Sequence, residues 1–148
     1  MNPCSGTRCF KAPELLIDDR SYNYAVDMWA VGCTFGGWLF NITTLFRGNN
    51  NQSQLDSIVK LRGSYALLKY MVRNNVKAPQ KMNIPPVEQQ DFTSLINENN
   101  SETVNDEALD LLGKMLCMDK DERITPKHAL EHEYFWPVRA IQDSWRGK

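Results

Sequence analysis

Thr7, Arg8 and Lys11 stand close together near the start of the chain, in a segment with no acidic residue before Glu14. A hydroxyl flanked by two cations suits contact with an acidic or phosphorylated partner, since guanidinium and ammonium groups hold such anions. The plainer alternative is two solvated side chains. Glu14 follows Ala12-Pro13, which fixes it near a turn, and Arg123 lies far downstream in Asp119-Lys120-Asp121-Glu122-Arg123-Ile124-Thr125. The two either form a bidentate, charge-assisted pair or are unrelated surface charges. Asp27 sits in an almost wholly apolar segment. It suits the first turn of a helix, near the positive end of the dipole, or a buried site where it accepts backbone N–H groups from another loop. His128 and His132 are four apart, hence on one helix face, but no third metal ligand is evident and packing or surface roles are expected. Cys4, Cys9, Cys33 and Cys117 form no Cys-x-x-Cys pair. No zinc site is expected, and reduced thiols would suit an intracellular protein.

The elements that must position these groups are helical. Apolar residues from Ala25 to Phe40 cover most of a helix circumference, so a helix over 24–40 is expected inside the protein, capped by Asn23 or Ser21. Gly32, Gly36 and Gly37 are costly there and suggest close approach by another backbone. Pro13 to Ile17 suits a short helix with proline in its first turn. Residues 41–53 are polar and asparagine-rich, hence loop. Short helices are expected around Leu55–Leu61, stopped by Gly63, and over Tyr65–Val72. Residues 75–103 read as a long irregular stretch containing Pro79, Pro85 and Pro86. Ala108, Leu109, Leu111, Leu112, Met115 and Leu116 fit an amphipathic helix capped by Asn105, with Val104 and Leu109 stapled across the cap. Thr125-Pro126 opens a last helix to Glu133. No strand or repeat is evident, so the fold class is mostly α with long loops.

The chain has 148 residues, a net charge of -1, 42% hydrophobic and 24% charged residues. That is one domain of ordinary globular composition, with no global charge to draw nucleic acid and no apolar run long enough to span a bilayer. The Asn-x-Ser/Thr triplets at Asn41, Asn51 and Asn99 carry no weight without a secretory signal.

Taken in order, the motifs resemble the C-terminal lobe of a Ser/Thr protein kinase, closest to the casein kinase II catalytic subunit. The carriers are Phe10-Lys11-Ala12-Pro13-Glu14-Leu15-Leu16, Asp27-Met28-Trp29 with Gly32-Cys33, Phe46-Arg47-Gly48, Gln54-Leu55, Glu107-Ala108-Leu109-Asp110, Arg123-Ile124-Thr125 and Ala129-Leu130-Glu131-His132. The resemblance implies a partial kinase domain over 1–148, with a kinase-group insert region over 41–103 made of short helices and long loops. It implies that Thr7 contacts the catalytic loop beside the substrate hydroxyl, and that Arg8 and Lys11 hold acidic side chains following the phosphorylated residue. Glu14 and Arg123 match the ion pair that braces the activation segment, Asp27 the buried acid that fixes the catalytic loop, and Trp29 the hydrophobic spine. ATP and magnesium are the implied cofactors, acidic proteins the implied substrates, a regulatory subunit a possible partner, and nucleus or cytoplasm the implied location. Two departures stand out. Ala12 replaces the glycine usual in casein kinase II, and Cys4 stands where a third basic residue is expected. Gly6-Thr7-Arg8 and Leu61-Arg62-Gly63-Ser64 also suit the cell-division-cycle kinase that acts at replication origins.

These residues contain no glycine-rich phosphate loop, no Val-Ala-Ile-Lys-type lysine, no His-Arg-Asp loop and no Asp-Phe-Gly; Asp91-Phe92-Thr93 lacks the glycine and follows the Ala-Pro-Glu triplet. This chain alone is therefore expected to be inactive, with exposed apolar surface that makes it aggregate. It is either part of a truncated or split acidophilic kinase, or a non-catalytic module that binds acidic peptides or a protein partner.

Overall fold

The computed structural model describes residues 6–147, and among these every regular element is a helix. The α-helices are α1 (Pro13–Leu16), α2 (Ala25–Leu39), α3 (Asn51–Arg62), α4 (Tyr65–Arg73), α5 (Asp106–Met115), α6 (Pro126–Leu130) and α7 (Trp136–Arg146). Short 3-10 helices occupy Gly6–Phe10, Phe92–Leu95 and Glu133–Phe135. Cys4 lies outside the described residues.

α2 is the central element. Met28, Trp29, Cys33 and Leu39 are buried on it, and its glycines let α5 come close. A Cβ on Gly32 would stand 2.9 Å from Met115 Cβ and Leu116 Cδ2, and one on Gly36 would stand 3.3 Å from Leu112 Cδ1. At Gly32 and Gly36 the close approach is made by side chains, of Met115, Leu116 and Leu112 and at 2.8 Å by Leu45, whereas at Gly37 it is made by backbone, with Ile42 O 3.1 Å from where a Cβ would stand. The helix is not enclosed all round: Val31 and Trp38 are exposed, on a side that opens with Phe10 onto a surface cavity. Its entry is also organised differently. Tyr24 is the cap residue, Asn23 Oδ1 accepts the Ala25 amide at 2.9 Å, and the Ser21 hydroxyl instead donates to Asp19 at 2.7 Å.

α3 starts at Asn51, earlier than the polar composition suggested. Asn50 and Ser53 form a reciprocal capping box: Asn50 Oδ1 accepts the Ser53 amide at 2.8 Å, and Ser53 Oγ accepts the Asn50 amide at 3.1 Å. Asparagine richness here marks a helix start within the expected loop. Gly63 ends the helix at φ 70°. α5 is capped as its sequence predicts, with Asn105 Oδ1 accepting the Ala108 amide at 2.8 Å. α6 stops at Leu130 rather than Glu133, and His132 Nδ1 then caps the next turn by accepting the Tyr134 amide at 3.2 Å. α7 follows and was not anticipated. None of its residues is buried, although Val138, Ile141 and Trp145 give its sequence an apolar stripe at helical spacing.

The core gathers Leu16, Ile17, Trp29, Phe40, Phe46, Leu55, Ile58, Leu67, Tyr70, Leu112 and Leu116 into one cluster. The irregular stretch before α5 is tied to it by Asn100, whose side-chain amide donates to Phe40 O at 3.1 Å and Leu95 O at 3.0 Å. Cys33 and Cys117 are free thiols, whereas Cys9 is disulfide-bonded, so the expectation of reduced thiols throughout does not describe Cys9. Burial pushes the Cys33 thiol up to about 12, which leaves it protonated and inert.

Candidate functional site

Pro13 at the first position of α1 needs no amide partner there, and its fixed φ starts the helix that carries Glu14 inward. Glu14 is 1% exposed. Its carboxylate accepts Arg123 Nη1 at 2.7 Å and Nη2 at 3.0 Å, the bidentate geometry in full. Two further guanidinium donors are used: Nη1 also reaches Ala25 O at 2.8 Å, and Nε reaches Cys117 O at 3.0 Å. The guanidinium plane lies 5.1 Å from the Trp29 ring centroid, a cation–π contact away from water. Trp29 is fully buried and stacks on Phe46 at 5.7 Å. One arginine therefore ties α1, the start of α2 and the loop after α5 into a single joint.

That joint is held from below. Arg73 pairs with Asp119 and Asp121, each at 3.0 Å, and Lys120 pairs with Asp121 at 3.0 Å, so the loop leading to Arg123 is fixed to α4. Asp19 does the same for the segment after α1. It is buried and accepts the Ser21 amide at 2.8 Å, the Ser21 hydroxyl and the Tyr70 hydroxyl. Burial pushes its carboxyl up, but the bonds from Tyr70 and Ser21 outweigh this and leave it below 3.8. Burial and the neighbouring Asp19 raise the Tyr70 hydroxyl above 10.0.

Above this joint the Gly6–Phe10 helix presents Thr7 to solvent, with Arg8 and Lys11 partly covered. Arg8 Nη1 donates to Asn51 Oδ1 at 3.4 Å, so the first residue of α3 steadies it. Neither Arg8 nor Lys11 makes an ion pair among the described residues. The basic pair is thus offered outward without a built-in acid. Beside it, Thr7, Phe10 and the outer face of α2 (Ala30, Val31, Thr34, Phe35, Trp38) line an open cavity of about 720 Å³. Asp27 lies in the first turn of α2, exposed rather than buried, and its carboxylate accepts no hydrogen bond among the described residues.

The protein kinase domain is the family model that matches this chain, over residues 1–135. The chain belongs to the protein kinase family. Its all-helical architecture is that of the kinase large lobe, and the match ends one residue before α7 begins. Kinases as a family use ATP and magnesium. Among the described residues the three-ligand cluster close enough to share an ion is Asp110, His132 and Glu133. Asp110 there already accepts Lys114 at 2.5 Å and faces His132 Nε2 at 2.7 Å. That set lies at the surface beside the middle of α5, with Asp110 already paired to Lys114 and no phosphate-binding loop among the described residues, and does not fit a nucleotide with its metal.

Several groups escaped the sequence. Arg62 is buried; its Nε and Nη2 donate to Leu116 O at 3.0 Å and Gly113 O at 3.3 Å, and it stacks 4.8 Å over Phe92. It satisfies the carbonyl end of α5 from another helix. In sequence it looks like any cation in a last helical turn. Asp91, in the rejected Asp-Phe-Thr triplet, caps the Phe92–Leu95 turn by accepting the Thr93 amide at 2.8 Å. Asn51 could be found only by folding α3 against the Gly6–Phe10 segment.

Proposed function

We propose that this chain is the substrate-recognition part of a Ser/Thr protein kinase of casein kinase II type. In the family reaction the γ-phosphate of ATP passes to a serine or threonine hydroxyl. The residues described here hold the substrate for that step: Thr7 lies beside the hydroxyl, and Arg8 and Lys11 pair with acidic side chains that follow it. One observation supports this above the others. Two cations sit next to an exposed threonine, one steadied by Asn51, and neither is neutralised by an acid among the described residues. The Glu14–Arg123 joint keeps that segment from moving. Asp27, with its carboxylate uncommitted, is the group to accept N–H donors from a catalytic loop. No step is assigned to ATP or magnesium here, because the residues described do not fit them; the chain alone should transfer no phosphate.

The test is a titration of a serine peptide followed by glutamates against the wild-type chain and the Arg8→Ala/Lys11→Ala variant. Binding should weaken by about tenfold or more, as expected for charge-assisted pairs. Equal affinity for both proteins would sink the reading. A second reading is a non-catalytic module that binds acidic peptides or a protein partner. It shares the same basic pair, and the two part when the chain is joined to complementary kinase residues: regained phosphorylation of the peptide supports the first. An origin-firing cell-division-cycle kinase is the alternative kinase, separated by its choice among peptide substrates.

A further inference from the structure

α7 lies beyond the family match and has no buried residue. Helices of its length, 11 residues, are marginal in water unless an apolar face is packed. Such a face exists. Pro137, Ile141 and Trp145 follow at intervals of four, which places them in one row on the helix surface, with Val138 at its edge. Val138, Ile141 and Trp145 are 62%, 58% and 77% exposed. The row begins at a cavity of about 540 Å³ lined by Asn105, Glu107, Glu133, Tyr134, Trp136 and Pro137. Its chemistry is specific: two aromatic rings and two carboxylates. Neither Glu107 nor Glu133 has an ion pair or side-chain hydrogen bond among the described residues. The nearby Asp110 already holds Lys114.

The geometry points to a docking site for a basic amphipathic segment of another protein. A lysine or arginine of that segment enters the cavity, over the Trp136 and Tyr134 rings and against Glu107 and Glu133. Its apolar side chains cover Ile141 and Trp145. Charge selects this occupant: Arg139 and Arg146 lie on the opposite side of α7 from the apolar row, so a second copy paired through that row brings no cation to Glu107 and Glu133, and an anionic membrane would meet those unpaired carboxylates. Aromatic faces joined to carboxylates recognise a cation in a way that neither alone does. The site is separate from Arg8 and Lys11 and does not depend on their role.

The test uses the full chain and a fluorescein-labelled peptide of repeating Leu-Lys-Lys-Leu, beside its twin with glutamate in place of lysine. Anisotropy should show the basic peptide binding and the acidic twin leaving this site untouched. Glu107→Gln/Glu133→Gln and Trp145→Ala should each weaken the basic peptide by about tenfold, the scale of an interface anchor. All these positions are exposed, so circular dichroism should show unchanged helicity. A remote control, Glu88→Gln/Glu98→Gln, should stay within about twofold, as expected of exposed charges away from the contact. An equal loss in the remote control overturns the site, as does binding that Trp145→Ala leaves unchanged. Light scattering that shows a dimer, restored to monomer by Trp145→Ala, would make a second copy the occupant and also overturn it. So would anionic vesicles binding through Trp145 while the basic peptide does not bind.

Discussion

Arg123 spends four of its five N–H donors on three separate stretches of chain: Glu14, Ala25 O and Cys117 O. Its cost of removal therefore exceeds that of a surface pair. Arg123→Ala leaves the Glu14 carboxylate buried and alone, and should lower stability by about 3–5 kcal/mol, read from urea denaturation. Arg123→Lys keeps the charge but loses the fork and the stacking on Trp29, and should recover only part of that. A loss below about 1 kcal/mol for Arg123→Ala would place this pair in the class of surface bridges. The pair was visible in the sequence as two residues of the right type in the right motif order. Arg62 was not, because nothing in a sequence separates a cation that caps a distant helix from one that points to water.

At the scale of elements, α5 was legible because its apolar spacing, its asparagine cap and its staple all agree. α3 was half legible: its apolar stripe and terminal Gly63 were clear, while its start was hidden in an asparagine-rich run that reads as loop until Ser53 is seen to answer Asn50. α7 buries nothing, yet the helical spacing of Val138, Ile141 and Trp145 makes it readable from its sequence. The link between the segment after α1 and α4 rests on Asp19 and Tyr70, and it makes a pH signature. Asp19 has its pKa lowered on folding, so its contribution is present above 3.8 and is lost as pH falls through the lower folded value. Tyr70 has its pKa raised, so its contribution is full below 10.0 and is lost as pH climbs through the higher folded value. Urea midpoints measured across pH should show both limbs. Asp19→Asn should flatten the acid limb and Tyr70→Phe the alkaline one; an acid limb unchanged in Asp19→Asn would assign it to other carboxylates.

For the whole molecule, the exposed side of α2 matters most. Val31 and Trp38, with Phe10 beside them, expose apolar surface next to a cavity with almost no polar lining. Such patches drive association. The chain should bind a hydrophobic dye and aggregate on concentration, and Val31→Lys with Trp38→Ser should suppress both while leaving the helical signal intact. A wild-type chain that stays monomeric and melts cooperatively would contradict this. The contact between Glu14 and Arg123 also has a consequence in time. Its partners are 109 residues apart. A ribosome delivers the glutamate first and its arginine only after α5 has been made. Until then α1 cannot bury its acid without an unmatched charge, so the segment just before it, bearing Thr7, Arg8 and Lys11, lacks that brace while the intervening residues are made. A nascent chain interrupted between Glu14 and Arg123 would thus carry the basic pair without the ion pair that holds the neighbouring α1.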